Sequence, residues 1–453
     1  MSAIPNSLEA RDIDNLVHPY TNLAKHAENG PLVIDRGEGI HVWDTDGKQY
    51  IEGVAGLWCT SLGYGEKELI HAATAQMEKL AFSHLFQSRS HGPAIELAEK
   101  LKSVAPVDTA RVFFVGSGSS ANDTAIKLIW YYNNAIGRPE KKKIIGRMKA
   151  YHGVTVASAS VTGLTHNHLD WDLPLKGFLH TDCPHYYREG KPGESEEQFV
   201  DRIIANLERL INKVGPETVA AFFAEPIQGA GGLIVPPQSY FPKLQAVLKK
   251  YDILLVADEV ITGFLRTGNY WGCQTVDMQP DMVTCAKALS SAYLPIGAVT
   301  IPSFMHEAMI EQSRKIGTFG HGNTYSGHPV CAAVALRTLQ IYEERNMLEH
   351  VRGLIPRFQR RLADLSGHPL VGEARLGGGL MGGVELVEDK ATKKPFDPKL
   401  TVGMKALLAC QEEGLMIRAV GDVAILCPPL IITEDQVDTM FDRLNAALDK
   451  LQV

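Results

Sequence analysis

The sequence predicts an α/β protein with a large domain built on a mixed, mostly parallel sheet flanked by helices, and a smaller α+β domain. Residues 254–260 and 281–287 are apolar, β-branched runs, typical of strands buried on both faces of a parallel sheet. From residue 111 onward such runs alternate with helical periodicity. We therefore expect the large domain over residues 60–325. Residues 1–59 and 326–453 are expected to form the smaller domain together.

The elements can be predicted in chain order. Residues 1–30 are polar and mixed, and fit either an arm on a partner subunit or a loosely ordered start. Residues 39–51 indicate a hairpin around an Asp/Gly turn. The remaining helices are predicted at 67–80, 93–104, from about 121, 195–213, 240–250, 329–342, from about 350, 401–413 and from 433. The remaining strands are predicted at 112–115, 143–146, 219–224, 296–301, 380–387, 416–418 and 423–427.

Composition excludes several classes of protein. The net charge of −7 over 453 residues offers no basic patch for nucleic acid. No stretch has the length of a membrane-spanning helix, and no signal peptide is evident. The seven cysteines are scattered without a C-x-x-C pair, which favours a reduced cytoplasmic protein without disulfides or a zinc site. The histidines at 166, 168, 180 and 185 lack convincing ligand partners, so no metal is predicted.

Two of the strand-like runs have an ionisable residue at or near their ends. Asp258 lies near the end of one run and Lys287 ends the other. Open α/β sheets bind ligands outside the carboxyl ends of their strands. An amine in apolar surroundings loses proton affinity and becomes nucleophilic enough for Schiff-base chemistry. A carboxylate can pair with a protonated pyridine nitrogen. Together these two groups suggest pyridoxal 5'-phosphate.

The sequence around these two residues resembles that of the class III aminotransferases. The similar residues are 255–264, Arg266-Thr267-Gly268, Pro280-Asp281 and Ala286-Lys287. The resemblance extends from about Gly39 to about Pro429. It implies a fold-type I enzyme that uses pyridoxal phosphate, with Lys287 and Asp258 as its catalytic residues.

A glycine-rich turn follows the predicted strand 112–115 and precedes a helix. Backbone N–H groups and the helix dipole make such a turn suited to phosphate. The alternative is a loop that needs glycine for its backbone angles. The resemblance favours phosphate, because Gly118 and Ser119 match the family's phosphate-contacting pair. The family usually has Glu where this chain has Ser120, so the role of that Glu is in question here.

The resemblance also implies which residues surround the cofactor ring. Tyr151 of the Tyr-His-Gly sequence matches the position that stacks on the ring, and Val260 should press on its opposite face. His152 is expected behind Asp258. Glu225, at the end of a predicted strand, matches an active-site Glu that orders the cofactor's surroundings.

Substrate-contacting residues are implied in the same way. Leu57, Trp58 and Phe86 match the walls of the family's substrate pocket, although aromatic residues near glycines are more often core residues. Arg418 matches a mobile arginine that binds a carboxylate bidentately and moves aside for amines that lack one. Half of such arginines have a structural role instead.

Two departures from the family pattern concern substrate choice. Ornithine and 4-aminobutyrate aminotransferases have a Glu where this chain has Ala230, and a Gln where it has Ile261. Both differences point away from glutamate-family donors and toward the ω-amino acid or amine:pyruvate branch.

Residues 321–329 resemble a segment that reaches the neighbouring active site, where Thr324 would bind the phosphate. This implies a homodimer or a dimer of dimers. The alternative is a polar loop that precedes a helix.

The predicted reaction is ping-pong transfer of an amino group through Lys287, from a primary amine or ω-amino acid to an α-oxoacid, most simply pyruvate. The alternative is a different fold-type I chemistry, such as that of an aminomutase, a racemase or a decarboxylase.

Overall fold

The computed structural model describes residues 6–453. The strands are β1 Ile34–Glu38, β2 His41–Asp44, β3 Gln49–Glu52, β4 Arg111–Val115, β5 Lys143–Arg147, β6 Phe178–Thr181, β7 Val219–Ala224, β8 Leu254–Asp258, β9 Met282–Cys285, β10 Gly297–Ile301, β11 Val371–Leu376, β12 Gly382–Leu386, β13 Leu415–Met416, β14 Arg418–Val420 and β15 Val423–Leu426. The α-helices are α1 Leu8–Asn15, α2 Leu23–Asn29, α3 Ala55–Trp58, α4 Lys67–Leu80, α5 Gly92–Val104, α6 Gly118–Ala135, α7 Val156–Val161, α8 Tyr186–Glu189, α9 Glu196–Val214, α10 Tyr240–Lys250, α11 Gly272–Thr275, α12 Ser303–Ile316, α13 Pro329–Glu344, α14 Met347–Asp364, α15 Val402–Glu412 and α16 Glu434–Asp449.

A seven-stranded sheet forms the centre of the molecule, in the order β4-β10-β9-β8-β7-β5-β6. Strand β10 runs antiparallel to both of its neighbours, and all the other pairs are parallel. Strands β7 and β9 are buried along their whole length, as expected for strands covered by helices on both faces. This arrangement confirms the predicted mixed, mostly parallel sheet.

Two four-stranded sheets lie outside the central one. The first has the order β1-β2-β3-β13, so a strand from the C-terminal part lies beside the N-terminal hairpin, with Leu415 paired with Ile51. The second has the order β11-β12-β15-β14 and is antiparallel throughout. The predicted single strand 416–418 is therefore wrong, because the chain passes from one sheet to the other at Ile417.

The structure adds elements that the sequence pattern did not predict. These are β1, β6, β11, α12, the two N-terminal helices and the short helices α3, α7, α8 and α11. Helices α1 and α2 contain no buried residue, so they lack the apolar stripe that marks a helix in sequence. Each begins at a polar cap, Ser7 or Asn22, whose side chain accepts a backbone N–H bond. Within residues 6–453, no helix is long and apolar enough to cross a membrane.

The parallel strands bring the predicted ionisable site residues to one edge of the central sheet. Strand β8 ends at Asp258, β7 ends one residue before Glu225, and Lys287 follows β9 by two residues. Helix α6 begins at Gly118, directly after the turn that follows β4, and not at Ala121 as predicted. Because these strand ends adjoin, residues far apart in sequence line one cavity.

Candidate active site

A single cavity at the carboxyl ends of the central strands collects most of the predicted site residues. Its lining consists of Gly118, Ser119, Asn122, Tyr151, His152, Gly153, Glu225, Ile227, Asp258, Val260, Ile261 and Lys287. Eight of the nine predicted cofactor-binding positions are in this lining; the exception is Thr324. The three predicted substrate residues Leu57, Trp58 and Phe86, and also Arg418, are outside it.

Lys287 opens a short 3-10 helix and has a φ angle of 47°. Burial lowers the pKa of its amine, while the nearby Cys59, Asp258 and Glu225 raise it and Arg418 lowers it. The Nζ atom lies 5.5 Å from the ring centroid of Trp58. Desolvation is the largest of these influences, so it favours the neutral, nucleophilic amine.

Asp258 is held by polar groups on both carboxylate oxygens and is only 4 % exposed. Its Oδ2 accepts a 2.8 Å bond from the Asn122 amide and lies 2.8 Å from His152 Nδ1. Its Oδ1 accepts the backbone N–H of Val260 at 3.1 Å. Asn122 is itself fixed, because its amide donates to the His152 carbonyl and its oxygen accepts from the Thr284 hydroxyl. The carboxylate therefore has a fixed orientation.

The start of α6 forms the opposite end of the cavity. Ser117 caps the helix by accepting the backbone N–H of Ser120 at 3.1 Å. A Cβ atom on Gly118 would lie 2.9 Å from a methyl carbon of Val260, so a side chain there would displace Val260. The Ser119 hydroxyl accepts the backbone N–H of Val154 at 3.1 Å. A helix N-terminus and a serine hydroxyl are suited to a phosphate.

Glu225 orders the loop that carries Tyr151. One carboxylate oxygen accepts the Tyr151 N–H at 2.9 Å and the other accepts the Gly229 N–H at 3.0 Å. Burial raises the pKa of this carboxyl group, while His152 lowers it. Glu225 therefore links the loop that carries Tyr151 to the loop that carries Gly229.

Trp58 and Arg418 lie together beside Lys287. The Arg418 guanidinium carbon is 5.1 Å from the Trp58 ring centroid. No carboxylate forms an ion pair with Arg418 among residues 6–453, and its buried Nε has no hydrogen-bond partner there. Burial lowers the pKa of Arg418, while the phenol groups of Tyr151 and Tyr20 raise it. A buried guanidinium without a counter-ion is suited to a substrate carboxylate.

Five predicted residues are outside the lining of this cavity, and three of them are exposed. Leu57 is 52 % exposed and Phe86 is 45 % exposed. Thr324 is also exposed, in a turn before α13. Phe86 packs over Gly322, two residues from Thr324, with 3.2 Å between its ring and a Cβ built on that glycine. Phe86 and Thr324 therefore share one exposed surface of this chain.

Gly153 and Ile227 of the lining were not predicted as site residues, and neither were two residues that support the cavity, Asn122 and Tyr20. Asn122 supports Asp258 directly, and its place in the first turn after the glycine-rich loop was the available sequence signal. Tyr20 lies with its ring centroid 6.4 Å from that of Tyr151, and its hydroxyl accepts from Asn167 at 2.7 Å. Its sequence neighbourhood, a polar N-terminal segment, gave no indication that it lies beside the cavity.

The residues present fit pyridoxal phosphate. The structure provides a desolvated amine, a fixed carboxylate, an aromatic side chain and a helix N-terminus around one cavity. The absence of a Cβ at Gly118 keeps the helix N-terminus close to Val260. Lys287 would hold the aldehyde of the cofactor, Asp258 its ring nitrogen and the start of α6 its phosphate.

Comparisons with known proteins agree with this geometry. A family model described as aminotransferase class-III matches residues 23–448. The chain is 51 % identical over 434 residues to a probable gamma-aminobutyrate transaminase 3, mitochondrial, of Oryza sativa subsp. indica, covering 96 % of this chain and 85 % of that protein. The omega transaminase of Pseudomonas jessenii in complex with PMP superposes with a TM-score of 0.97 and 51 % identity over 98 % of each chain. A transaminase solved with L-ala has a TM-score of 0.91 and 56 % identity, covering 93 % of this chain and 99 % of that one.

Proposed function

This chain belongs to the class III aminotransferases, pyridoxal-phosphate enzymes of fold-type I, and from that premise we propose that it transfers an amino group from a primary amine or ω-amino acid to pyruvate. The observation that carries the proposal is the Arg418 guanidinium, which has no ion-pair partner among residues 6–453 and lies on the Trp58 ring, beside Lys287. That cation can bind the single carboxylate of pyruvate.

The residue roles follow from the contacts of each side chain. When bound, pyridoxal phosphate supplies an aldehyde that takes the substrate's amino group and a ring that accepts the electrons released at the substrate carbon. Lys287, whose pKa is lowered by burial, takes the proton from that carbon and delivers it to the aldehyde carbon of the cofactor. Asp258, fixed by Asn122 and His152, holds a proton on the ring nitrogen. Tyr151 and Val260 would enclose the ring and exclude water.

Pyruvate is favoured as the acceptor by the residues around Arg418. Position 230 is Ala, so the chain lacks the Glu that pairs with a switching Arg in the branches that use a second carboxylate. Without that counter-ion, the cation stays available to a monocarboxylate. The relative solved with L-ala supports the same choice, since alanine is the product formed from pyruvate.

The donor proposed is an ω-amino acid, with 4-aminobutyrate as the first compound to test. The rice relative is named a gamma-aminobutyrate transaminase. The Ala230 and Ile261 replacements therefore bear on the acceptor more than on the donor. One cation can hold the carboxylate of the donor in the first half-reaction and that of pyruvate in the second, because the two substrates bind in turn.

We also propose that the enzyme is a homodimer, or a dimer of dimers, whose sites are built from two chains. Phe86 and Thr324 share an exposed surface, away from the cavity of their own chain. A complementation experiment tests this. Lys287→Ala and Thr324→Asp chains, inactive alone, should regain one intact site per mixed dimer when they are expressed together. Inactivity of the mixed dimers would contradict a shared site.

The domain division 1–59, 60–325 and 326–453 is proposed on the sheets that each part forms. The sharing of one sheet by β3 and β13 supports joining the two terminal parts. We propose the cytoplasm as the compartment, because all seven cysteines are free thiols. The rice relative is named mitochondrial, so fractionation of cells with an antibody to the chain is the direct measurement.

The half-reactions can be followed in the visible spectrum of the purified holoenzyme. The band of the lysine-bound cofactor should bleach on addition of 4-aminobutyrate without an acceptor, and pyruvate should restore it. Lys287→Ala should retain the cofactor and lose turnover. Substantial turnover in that variant would refute the assignment of Lys287. A band that no amine bleaches would favour another fold-type I chemistry.

A further inference from the structure

The N-terminal segment brings two imidazole groups to one carboxylate. Asp12 lies in α1, His26 lies in α2 and His18 lies in the turn between these helices. The Nε2 atom of His18 is 2.8 Å from Asp12 Oδ1, and that of His26 is 3.0 Å from the same oxygen. The two rings lie side by side with centroids 4.2 Å apart. Two nitrogen atoms and one oxygen atom thus converge within 4.8 Å of one another.

No arginine or lysine in the described part of the chain forms an ion pair with the Asp12 carboxylate, so the carboxylate can bind a cation. Within the described part of the chain, the two histidines are the only ion-pair partners of Asp12. The other convergent group, His185 with Glu373 and Glu385, differs in this respect. The guanidinium groups of Arg188 and Arg375 already bind its carboxylates. Those two positive charges oppose binding of a metal ion, so only the N-terminal cluster is a candidate.

The spacing of the three atoms matches a metal site. With metal–ligand bonds of 2.0–2.1 Å, two ligands of a tetrahedral zinc ion lie about 3.3 Å apart. The two Asp–His distances, 2.8 and 3.0 Å, need only a small outward adjustment to reach that value. The side chains of Asp12, His18 and His26 are 15 %, 31 % and 10 % exposed, so an ion can reach them from solvent.

We propose that Asp12, His18 and His26 form a binding site for one divalent transition-metal ion, with zinc as the ion whose ligand preferences they match. Two imidazole nitrogens and one carboxylate oxygen suit zinc, cobalt and nickel, and are too few oxygen atoms for calcium or magnesium. A water molecule would complete the fourth position. This site lies outside the cavity that contains Lys287, so it does not depend on the proposed substrates.

A metal ion at this site would also affect the cavity that contains Lys287, through Tyr20. The turn between the two histidines carries Tyr20, whose ring meets the edge of the Tyr151 ring. An ion bound by His18 and His26 closes this turn from both sides. The site would therefore hold Tyr20 against Tyr151, which lines the cavity.

Calorimetry with zinc chloride tests the proposal on holoenzyme that has been freed of any affinity tag and treated with a chelator. The wild type should bind one zinc ion per chain. Asp12→Ala and His26→Ala should each weaken binding by about 100-fold or more, since even supporting groups of metal sites contribute 10–100-fold. The exposed His71 in α4 supplies a matched control, and His71→Ala should bind as the wild type does.

Folding does not obscure this test, because α1 and α2 contain no buried residue. Bound zinc should also slow tryptic cleavage after Arg11 and Lys25 in the wild type, and not in His26→Ala. Cobalt in place of zinc should give the absorption of nitrogen and oxygen ligands. No binding by the wild type, an affinity in both site variants equal to that of the wild type, or cobalt–thiolate absorption would each overturn the proposal.

Discussion

His152 donates through Nδ1 to the Oδ2 atom of Asp258 across 2.8 Å, and neither side chain is more than 4 % exposed. A carboxylate can only accept, so Nδ1 of the imidazole carries a proton. The same oxygen accepts from Asn122, which fills both of its lone pairs. Within residues 6–453, Oδ1 accepts only the Val260 N–H. Oδ1 is therefore the atom available to the ring nitrogen of the cofactor.

His152→Ala should slow bleaching of the cofactor band by an amine donor by about 10- to 100-fold. The loss corresponds to the roughly 1.5–3 kcal/mol of a hydrogen bond to a charged group. Stopped-flow absorbance at saturating donor gives the rate, and the position of the band reports the protonation of the ring. His168→Ala is the matched control, because His168 bonds the Ala159 carbonyl and does not contact Asp258. A rate within twofold of the wild type would show that Asn122 and the backbone N–H of Val260 suffice to fix the carboxylate.

Gly118→Ala should weaken binding of pyridoxal phosphate by about 5- to 150-fold. Its new methyl group would lie 2.9–3.0 Å from both methyl carbons of Val260, and overpacking of this kind costs roughly 1–3 kcal/mol. Displacement of Val260 also moves a wall of the ring position. Fluorescence titration of the apoenzyme with the cofactor measures the change.

Gly116→Ala is the control for this substitution. A Cβ on Gly116 meets no atom within 4 Å, although that glycine lies in the same turn. Its affinity for the cofactor should stay near the wild-type value. Equal weakening in both variants would mean that the flexibility of the turn matters, and not the space beside Val260.

The central part of the site could be predicted from the sequence because it depends on local patterns. The apolar runs that end near Asp258 and Lys287 are strands β8 and β9, and adjacent parallel strands end at the same edge. A glycine-rich turn before a helix likewise specifies the start of α6.

Other features depend on contacts between distant segments, which no local pattern records. Asn122 bonds Asp258 across 136 residues of sequence. Strands β13 and β14 are separated by one residue and enter different sheets, since β13 finds its partner in the N-terminal hairpin. Phe86 and Thr324 match the family's site positions, but the fold places them outside the cavity of their own chain.

Arg418→Leu should reduce kcat/KM for pyruvate by about 10- to 100-fold, the roughly 1.5–3 kcal/mol of a charge-assisted hydrogen bond. Leu is apolar and cannot bind a carboxylate. Bleaching by an amine without a carboxylate should continue at a rate close to that of the wild type, which makes each preparation its own control. A parallel loss with that amine would instead indicate that Arg418 acts by lowering the pKa of Lys287.

Trp58→Ala should move the acidic limb of the pH–rate profile to higher pH. Burial lowers the pKa of Lys287 below its ordinary value, so the amine stays neutral and able to take a proton at lower pH. The rate falls as the pH drops through that pKa, because a protonated amine cannot act as a base.

Removal of the indole ring, 5.5 Å from Nζ, admits water and raises the pKa of Lys287. Loss of the contact between the ring and the protonated amine acts in the opposite direction. We expect hydration to dominate, because burial is the main cause of the lowered pKa of Lys287. The measurement is the single-turnover rate with an amine that lacks a carboxylate, recorded across pH and compared with Trp171→Ala, whose indole is 72 % exposed. An acidic limb that stays in place, or moves to lower pH, would show that the indole does not keep water from Lys287.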